Sequence, residues 1–533
     1  MATEAMMKEK FYITTPIYYP SNKLTLGNAY TNVICDAIAR FNRKQGKDVF
    51  YLTGTDEHGQ KISQSAEAAG KEEKEYLDEI VEDTKELWKI LNISYDKFIR
   101  TTDSYHEKAV QKIFTDLYNK GYIYKGSYKG LYCTPCESFW TESQLVDGKC
   151  PDCGREVKFQ EEEAYFFKLS SFGDKILKLY EENPDFLLPK SRVNEMVNNF
   201  IKPGLSDLCV SRTSVKWGVP VEFDPKHTIY VWIDALPNYI TALGYNGEDD
   251  SMFKKYWPAD VHVIGKEIVR FHAIIWPAIL MALDLPLPKQ VFGHGWLLFG
   301  GDKLSKSKST DKGECTDPRI LSKLYSADAV RYILYREIPF GSDGNYSTEA
   351  FLTRFNADLS NNYGNLVSRT FSMVKKYFDG VIPEGEELVD EDDKALKEFV
   401  DKEVKNVFDY MKVYDVTRAT TSIFNIFTEA NTYIQKVQPW AVAKDETKTN
   451  RLKTILKNLL EVIRIGSELF YPFAPESTGK VLTALNLDKD AVYSNLDSFN
   501  GLKAGEKLGE LGILFPRLDI KAEIEKLSEL ANS

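Results

Sequence analysis

No apolar run in this 533-residue chain approaches the roughly 20 residues of a membrane-crossing helix, so a soluble protein with no membrane partner is expected. The start, Met1 to Lys10, has neither the apolar stretch of a secretory leader nor the arginine-rich, acid-poor make-up of an organellar one. That makes the cytoplasm the expected compartment. Positive charge is also in deficit. Against 79 Asp and Glu stand 68 Lys and Arg, a formal net charge of -11, which excludes holding nucleic acid by bulk charge and leaves only a local basic face for that purpose. Cysteines are few and odd in number, seven, so a disulfide framework is not expected. What the chain has is size. A single core rarely grows past roughly 250 to 300 residues, which predicts three or four structural units.

Four of the seven cysteines form two Cys-x-x-Cys pairs, Cys133 with Cys136 and Cys150 with Cys153, thirteen residues apart (Glu137 to Lys149). Each pair supplies one edge of a tetrahedral metal site, and Pro135, Pro151 and Gly154 give the turns that aim the sulfurs inward. Four thiolates leave no open position for water, so one structural Zn²⁺ per chain is expected rather than a catalytic one. A redox pair or unliganded thiols are the alternatives.

Two segments carry phosphate chemistry. Gly300-Gly301-Asp302-Lys303-Leu304-Ser305-Lys306-Ser307-Lys308 puts charge and hydroxyls on a glycine-started loop, where they can meet polyphosphate oxygens. A solvated basic turn is the plain alternative. Near the N-terminus, Phe11 to Thr15 reads as a buried strand, Pro16 to Lys23 as a loop, and Leu24 to Tyr30 as a turn opening a helix over Thr31 to Asn42. Gly27 would let a base or ribose approach the backbone, and N–H groups at a helix start favour phosphate; ordinary packing by a small residue is the other reading. Asp56 follows the apolar run Val49 to Leu52, so its carboxylate falls at a strand end, in the crevice where doubly wound sheets bind ligands; a turn or helix cap is the alternative.

After Lys308 the pattern is predominantly helical. Asn361, Asn365 and Arg369, spaced by four within Thr348 to Phe378, point from one helix face and make a base-reading edge of two amides and a guanidinium. An exposed polar face is the simpler explanation. Pro439 suits a helix start and leaves Trp440 at its rim, where an indole can stack on an unpaired base. Helices are expected over Asp392 to Val413, Val416 to Val437, Thr447 to Phe470 and Pro475 to Leu485, with one short amphipathic helix after Phe515.

Together, Thr25-Leu26-Gly27-Asn28 and Lys303 to Ser307 resemble the HIGH and KMSKS signatures of class I aminoacyl-tRNA synthetases. Thr15 to Pro20, Gly54 to Gly59, Tyr230 to Leu236 and Gly265 to His272 resemble, in the same order, the motifs of the methionyl-tRNA synthetases. The resemblance runs from about Phe11 to beyond Trp440. It departs at the two signature histidines, replaced by Thr25 and Asn28, which can hydrogen-bond but cannot become cationic near neutral pH.

The resemblance implies a Rossmann-type parallel-sheet α/β catalytic domain over 1–118 and 228–320, with a connective insertion over 119–227 holding the zinc knuckle at 133–153. A stem-contact linker at 321–355 and an all-α anticodon-binding bundle at 356–533 follow. It implies ligation of methionine to tRNA(Met), with ATP and Mg²⁺, through methionyl-adenylate. Catalytic roles then fall to Lys303, Lys306, Thr25 and Asn28, and ATP contacts to Gly27, Ser305, Ser307, Lys306, Gly265 and Glu267. An unbranched thioether must be selected by shape, polarizability and sulfur–aromatic contact. The matching wall is Trp232, Tyr239, Phe271, His272 and Trp276, with aliphatic Ile17, Ala235, Leu236 and Ile268. His272 is expected to be neutral. Asp56 and Tyr19 are expected at the zwitterionic end, Asp234 and Glu267 near ribose or water, and Asn361, Asn365, Arg369 and Trp440 at the CAU anticodon. The insertion is too short for a large editing domain, and no room remains for an appended dimerising domain, so a monomer is expected. A non-catalytic tRNA-binding paralogue, or a cysteinyl enzyme with metal ligands at its substrate site, are the competing functions.

Overall fold

A computed structural model describes residues 8–20, 24–136, 138–140, 142–151, 153–299, 302–303, 314–339, 341–386 and 388–532. The strands Lys10–Thr14 and Asp48–Thr55 are nearly continuous apolar or small runs buried on both faces, the signature of an interior parallel sheet. That sheet has six strands in the order Lys97–Arg100, Asp48–Thr55, Lys10–Thr14, Val261–Gly265, Val291–His294 and Leu187–Leu188, each pairing parallel. The strand order reverses between Lys10–Thr14 and Val261–Gly265, which opens a crevice beyond their C-terminal ends.

The first helix spans Leu26–Lys44, five residues longer at its start than the expected Thr31. The reason is local. Thr25 takes the extended N-cap conformation (φ -108°, ψ 176°), and Asn28 Oδ1 accepts the Thr25 N–H at 3.1 Å and its hydroxyl at 3.3 Å. A cap of this kind outweighs the modest helix penalty of Gly27 and draws the turn into the first helical turn.

The segment expected as an insertion carries an antiparallel sheet ordered Ser138–Trp140, Ile123–Cys133, Lys158–Phe167, Leu208–Cys209. It is not confined to its own sheet, because Leu187–Leu188 within it supplies the edge strand of the central one. Beyond Thr348 the chain is helical, with long helices Glu391–Lys412, Val416–Val437, Thr449–Phe470 and Pro475–Ala484, within two residues of expectation at every end. Helix Ile520–Asn532 returns to pack on Thr348–Arg354. Among the described residues no helix is long and apolar enough to cross a membrane.

Two cores flank the sheet. One joins its first-helix face to the C-terminal helices, so Ile34 and Ile38 share a continuous apolar body with Phe424, Leu459 and Phe470. The other joins Leu52 and Ile264 to Ile233, Trp276 and the insertion's Phe167. A buried ion pair crosses the first. Asp36 meets Arg331 at 2.8 Å and Arg40 at 2.7 Å, and accepts the Ser94 N–H. Arg331 also donates to the carbonyls of Leu91, Pro472 and Phe473. Against the effect of burial, the two guanidiniums hold the Asp36 carboxyl down at about 2. Arg331→Ala is expected to lower stability by about 3 to 5 kcal/mol, because it strands a charge in the core. Urea unfolding of the variant checks this, and a midpoint within error of wild type would contradict it.

Candidate active site

Two joined cavities occupy the crevice at the strand-order reversal. The first, about 450 Å³, is opened by the start of the first helix: Thr25, Gly27, Asn28 and Thr31 line it together with Gly265, Glu267 and His294. A Cβ on Gly27 would meet only Thr25 Oγ1, at 3.7 Å, so packing does not require glycine there and the open space lies toward the cavity. With Asn28 Oδ1 engaged by Thr25, the amide NH₂ is the group Asn28 can offer to an anion. His294 Nε2 lies 2.7 Å from the Thr31 hydroxyl and Nδ1 2.7 Å from the Gly295 carbonyl; burial lowers its pKa, so the imidazole is neutral at pH 7. His294 and Trp296 were not singled out from sequence. Their signal is an aromatic pair flanking a glycine after the apolar strand start Val291-Phe292, which is weak by itself.

The second cavity, about 590 Å³, shares Pro16, Ile17, Tyr19, Glu267 and Ile268 with the first. Its inner wall is Trp232, Ala235, Leu236, Tyr239, Phe271 and His272, with Asp56 at the polar end. Trp232 and Phe271 lie with centroids 4.4 Å apart. The loop bearing Tyr19 is pinned beside Asp56: Tyr18 pairs with Thr55, and the Asp56 N–H donates to the Tyr18 carbonyl at 2.9 Å. Trp276 is a correction. It is fully buried behind the wall, 6.1 Å from the Tyr239 ring, and donates its indole N–H to His262 Nε2, because an inward helix position of that size backs the pocket instead of lining it.

The polar tip of this wall is internally satisfied. His272 Nδ1 is 2.9 Å from the Ile268 carbonyl, which can only accept, so Nδ1 carries the proton and Nε2 accepts the Tyr239 hydroxyl at 2.7 Å. Burial lowers the His272 pKa to about 4. The imidazole is neutral, and the Tyr239 donor is spent on it.

Behind Asp56 sits a charged cluster that sequence reading did not resolve. His58 Nδ1 is 2.7 Å from Asp234 Oδ2, His58 Nε2 is 3.6 Å from Glu107, and His106 Nε2 is 3.4 Å from the other Asp234 oxygen. Burial opposes charge on His58, but Asp234, then Glu107 and Asp56, raise it to about 10; Asp234, likewise buried, is held at about 2 by His58 and His106. Asp234 thus braces the wall from behind and does not line either cavity.

The four knuckle cysteines come together with all sulfurs within 4.8 Å; Cys133 to Cys153 is 3.5 Å and Cys136 to Cys150 is 3.8 Å. A tetrahedron of about 2.3 Å Zn–S bonds separates sulfurs by about 3.8 Å, so the set fits zinc. Pro135 and Cys136 also line the larger cavity, a contact no local pattern announces. The other candidate ligand group among the described residues, Glu163, Asp224 and His227, is taken up by Lys125, 2.8 Å from each carboxylate.

Of the lysine-rich loop, Ser305, Lys306 and Ser307 lie outside the described residues. The backbone of Asp302–Lys303 pairs antiparallel with Leu297–Phe299, Lys303 opposite Leu298, and Leu297 lines the smaller cavity beside Gly27. The strand that pairs with Asp302–Lys303 therefore borders the cavity that Gly27 lines.

Comparison with known proteins matches this arrangement. The family profile described as tRNA synthetases class I (M) matches residues 11–158 and 153–371, and that of the anticodon binding domain of methionyl tRNA ligase matches 382–528. The chain is 55% identical over 529 residues to a methionine–tRNA ligase of Clostridium acetobutylicum, covering 98% of this chain and 80% of the relative. The chain belongs to the class I methionyl-tRNA synthetase family. A methionine–tRNA ligase of Caldanaerobacter subterraneus is 56% identical over 98% of this chain and 81% of its own length. A solved Mycobacterium tuberculosis methionyl-tRNA synthetase in complex with methionyl-adenylate superposes with a TM-score of 0.89 at 42% identity, covering 96% of this chain and all of that one.

In the methionyl-tRNA synthetase's helical half, Arg369 lies 5.8 Å over the Trp440 ring, and Trp440 is 37% exposed. Asn361 and Asn365 are exposed on the same run. Phe355–Gly364 winds as a wide π-type helix, so the four-residue spacing carries Asn361 slightly off the line of Asn365 and Arg369.

The His58 cluster gives a signed pH dependence. A histidine raised from an unfolded value near 6.5 to about 10 contributes stability fully below pH 6.5, lost as pH rises toward 10. His58→Gln is expected to show its largest melting-temperature deficit against wild type at pH 5 to 6.5 and a shrinking one toward pH 10. Thermal scans across that range check it, and a constant deficit would contradict the ion pair.

Proposed function

We propose that this methionine–tRNA ligase forms methionyl-adenylate across the two joined cavities, with the methionine side chain in the aromatic one and ATP in the one opened by Thr25 and Gly27. The observation that carries this reading is their common wall of Pro16, Ile17, Tyr19, Glu267 and Ile268, which lets the carboxylate of one ligand reach the α-phosphate of the other. The solved relative's complex with methionyl-adenylate supports it. Asp56 receives the substrate ammonium, with Tyr19 beside it. Because Tyr239 donates to His272, the wall offers a thioether polarizable surface without a competing hydroxyl donor, and it disfavours side chains that demand one.

The substrate carboxylate attacks the α-phosphorus and pyrophosphate leaves; the terminal adenosine hydroxyl of tRNA(Met) then attacks the acyl adenylate and AMP leaves. No protein nucleophile is needed. Positioning and charge do the work. The Asn28 amide serves the phosphates at the helix start, with Thr25 orienting it and its hydroxyl turning to a phosphate only by leaving Asn28 Oδ1. Glu267 meets the ribose beside Gly265, and Lys303 and Lys306 with Ser305 and Ser307 stabilise charge on the leaving phosphates. Mg²⁺ travelling with ATP screens that charge. Neither Thr25 nor Asn28 titrates near neutral pH, so the lysines carry the cationic share.

Cys133, Cys136, Cys150 and Cys153 hold one structural Zn²⁺, and seven cysteines that form no disulfide support a cytoplasmic reading, since thiols stay reduced there. The exposed edge of Asn361, Asn365, Arg369 and Trp440 reads the anticodon, base stacking on the indole contributing roughly 1 to 3 kcal/mol. In the same reading 1–118 and 228–320 are catalytic, 119–227 connective apart from the edge strand Leu187–Leu188 that belongs with the catalytic sheet, 321–355 the stem-contact linker and 356–533 the anticodon-binding unit.

Methionine-dependent ATP–pyrophosphate exchange over an amino-acid panel tests the whole reading; exchange with no amino acid would leave a non-catalytic tRNA-binding protein. Lys306→Ala is expected to slow adenylate formation by at least about a hundredfold with little change in methionine affinity. Near-normal exchange would remove the lysine clamp. Tyr239→Phe leaves the buried His272 Nε2 without its donor and is expected to raise the methionine KM about tenfold in the same assay, with the ATP KM unchanged.

A further inference from the structure

We propose that Asp343 and Lys266 are positioning residues for the nucleoside half of the reaction, acting through Trp296 on Glu267. The inference rests on the reading of Glu267 as the group that meets the ribose. The contacts run without a gap. Glu267 Oε2 accepts the Trp296 indole N–H at 2.7 Å. The carboxylate is folded back over Gly265, where a Cβ would stand 2.5 Å from Oε2, so its placement depends on both neighbours.

Trp296 is itself held from two sides. Its backbone N–H donates to Asp343 Oδ1 at 2.8 Å, and the Lys266 ammonium lies 3.9 Å from its ring centroid. That ammonium donates to both Asp343 oxygens, at 2.8 and 2.6 Å. The turn bearing Asp343 runs flat against the one bearing Trp296, since a Cβ on Gly295 would fall 2.1 Å from the Ser342 carbonyl oxygen. Although burial opposes it, Lys266 and the Trp296 N–H hold the Asp343 carboxyl below its usual range, so it is an anion at pH 7.

The turns at 265–267 and 295–296 follow different strands of the sheet, and a small relative shift would swing the indole away from Glu267. Asp343, arriving from a third segment just before Gly344–Tyr346, is bonded to both and removes that freedom. Trp296 lines the smaller cavity and not the larger, and Glu267, which lines both, is read as the ribose group, so the effect should fall mainly on ATP and much less on methionine. The Lys266 to Asp343 pair is partly exposed, at 18% and 33% of the two side chains, and exposed pairs add little to global stability. A role confined to holding the fold together would therefore be a poor use of it.

Pyrophosphate exchange on the full chain, with ATP and methionine varied separately, tests this. Asp343→Ala and Trp296→Phe, which keeps the ring and removes the N–H, are expected to raise the ATP KM about tenfold while the methionine KM stays within about twofold. Asp343→Asn keeps an acceptor for the Trp296 N–H and gives up the ion pair, so its effect should be smaller. The double variant Asp343→Ala, Glu267→Gln should be no weaker toward ATP than Glu267→Gln alone, because both act through one carboxylate. Additive losses, or an unchanged ATP KM in Asp343→Ala and Trp296→Phe where Glu267→Gln raises it, would overturn the inference. If Glu267→Gln itself leaves the ATP KM unchanged, the ribose reading falls first and this inference with it. Should Asp343→Ala fail to fold, Asp343→Asn and Trp296→Phe decide the matter.

Discussion

The Asp36 to Arg331 pair fixes the relation on which the rest of the molecule depends. Asp36 sits on the helix whose first turn opens the smaller cavity, and Arg331 on the helix Ala327–Glu337 that follows the lysine-rich segment. Arg331 then spends its remaining donors on carbonyls of Leu91, Pro472 and Phe473, so one guanidinium joins the cavity's floor, its flank and the helical half. Buried charge of this sort contributes more to unique placement than to net stability. A chain that folds residues nearly 300 positions apart around one pair of cavities needs such placement.

Around that frame the two cavities are built on opposite electrostatic principles. The amino-acid side is neutral at its tip, with His272 kept uncharged by burial and Tyr239 committed to it. Charge is pushed one layer back, into the His58 and Asp234 pair behind Asp56. The smaller cavity is the more polar of the two, with a helix start, the Asn28 amide and the Glu267 carboxylate on its wall. A substrate that is apolar at one end and highly charged at the other matches both.

Much of this was legible in the sequence, for identifiable reasons. Parallel strands buried on both faces give apolar runs, long amphipathic helices give 3.6-residue periodicity, and paired Cys-x-x-Cys spacing is dictated by a tetrahedron. The helix start at Leu26 was misplaced because Thr25 and Asn28 form a cap that propensity alone does not price. Trp276 was placed on the cavity wall because an aromatic behind a pocket and one lining it have the same local pattern. His294, Trp296 and the His58 cluster escaped because their roles arise from pairings over long sequence separations, such as Thr31 with His294 or His58 with Asp234.

The knuckle and the larger cavity share residues. Pro135 and Cys136 belong to the first turn of the cysteine cluster and at the same time line one side of that cavity. Part of that cavity's outline is thus supplied by an element with scarcely any apolar core of its own, Trp140 being its main contribution. An ion held by those four sulfurs would therefore shape the cavity's rim as well as the knuckle.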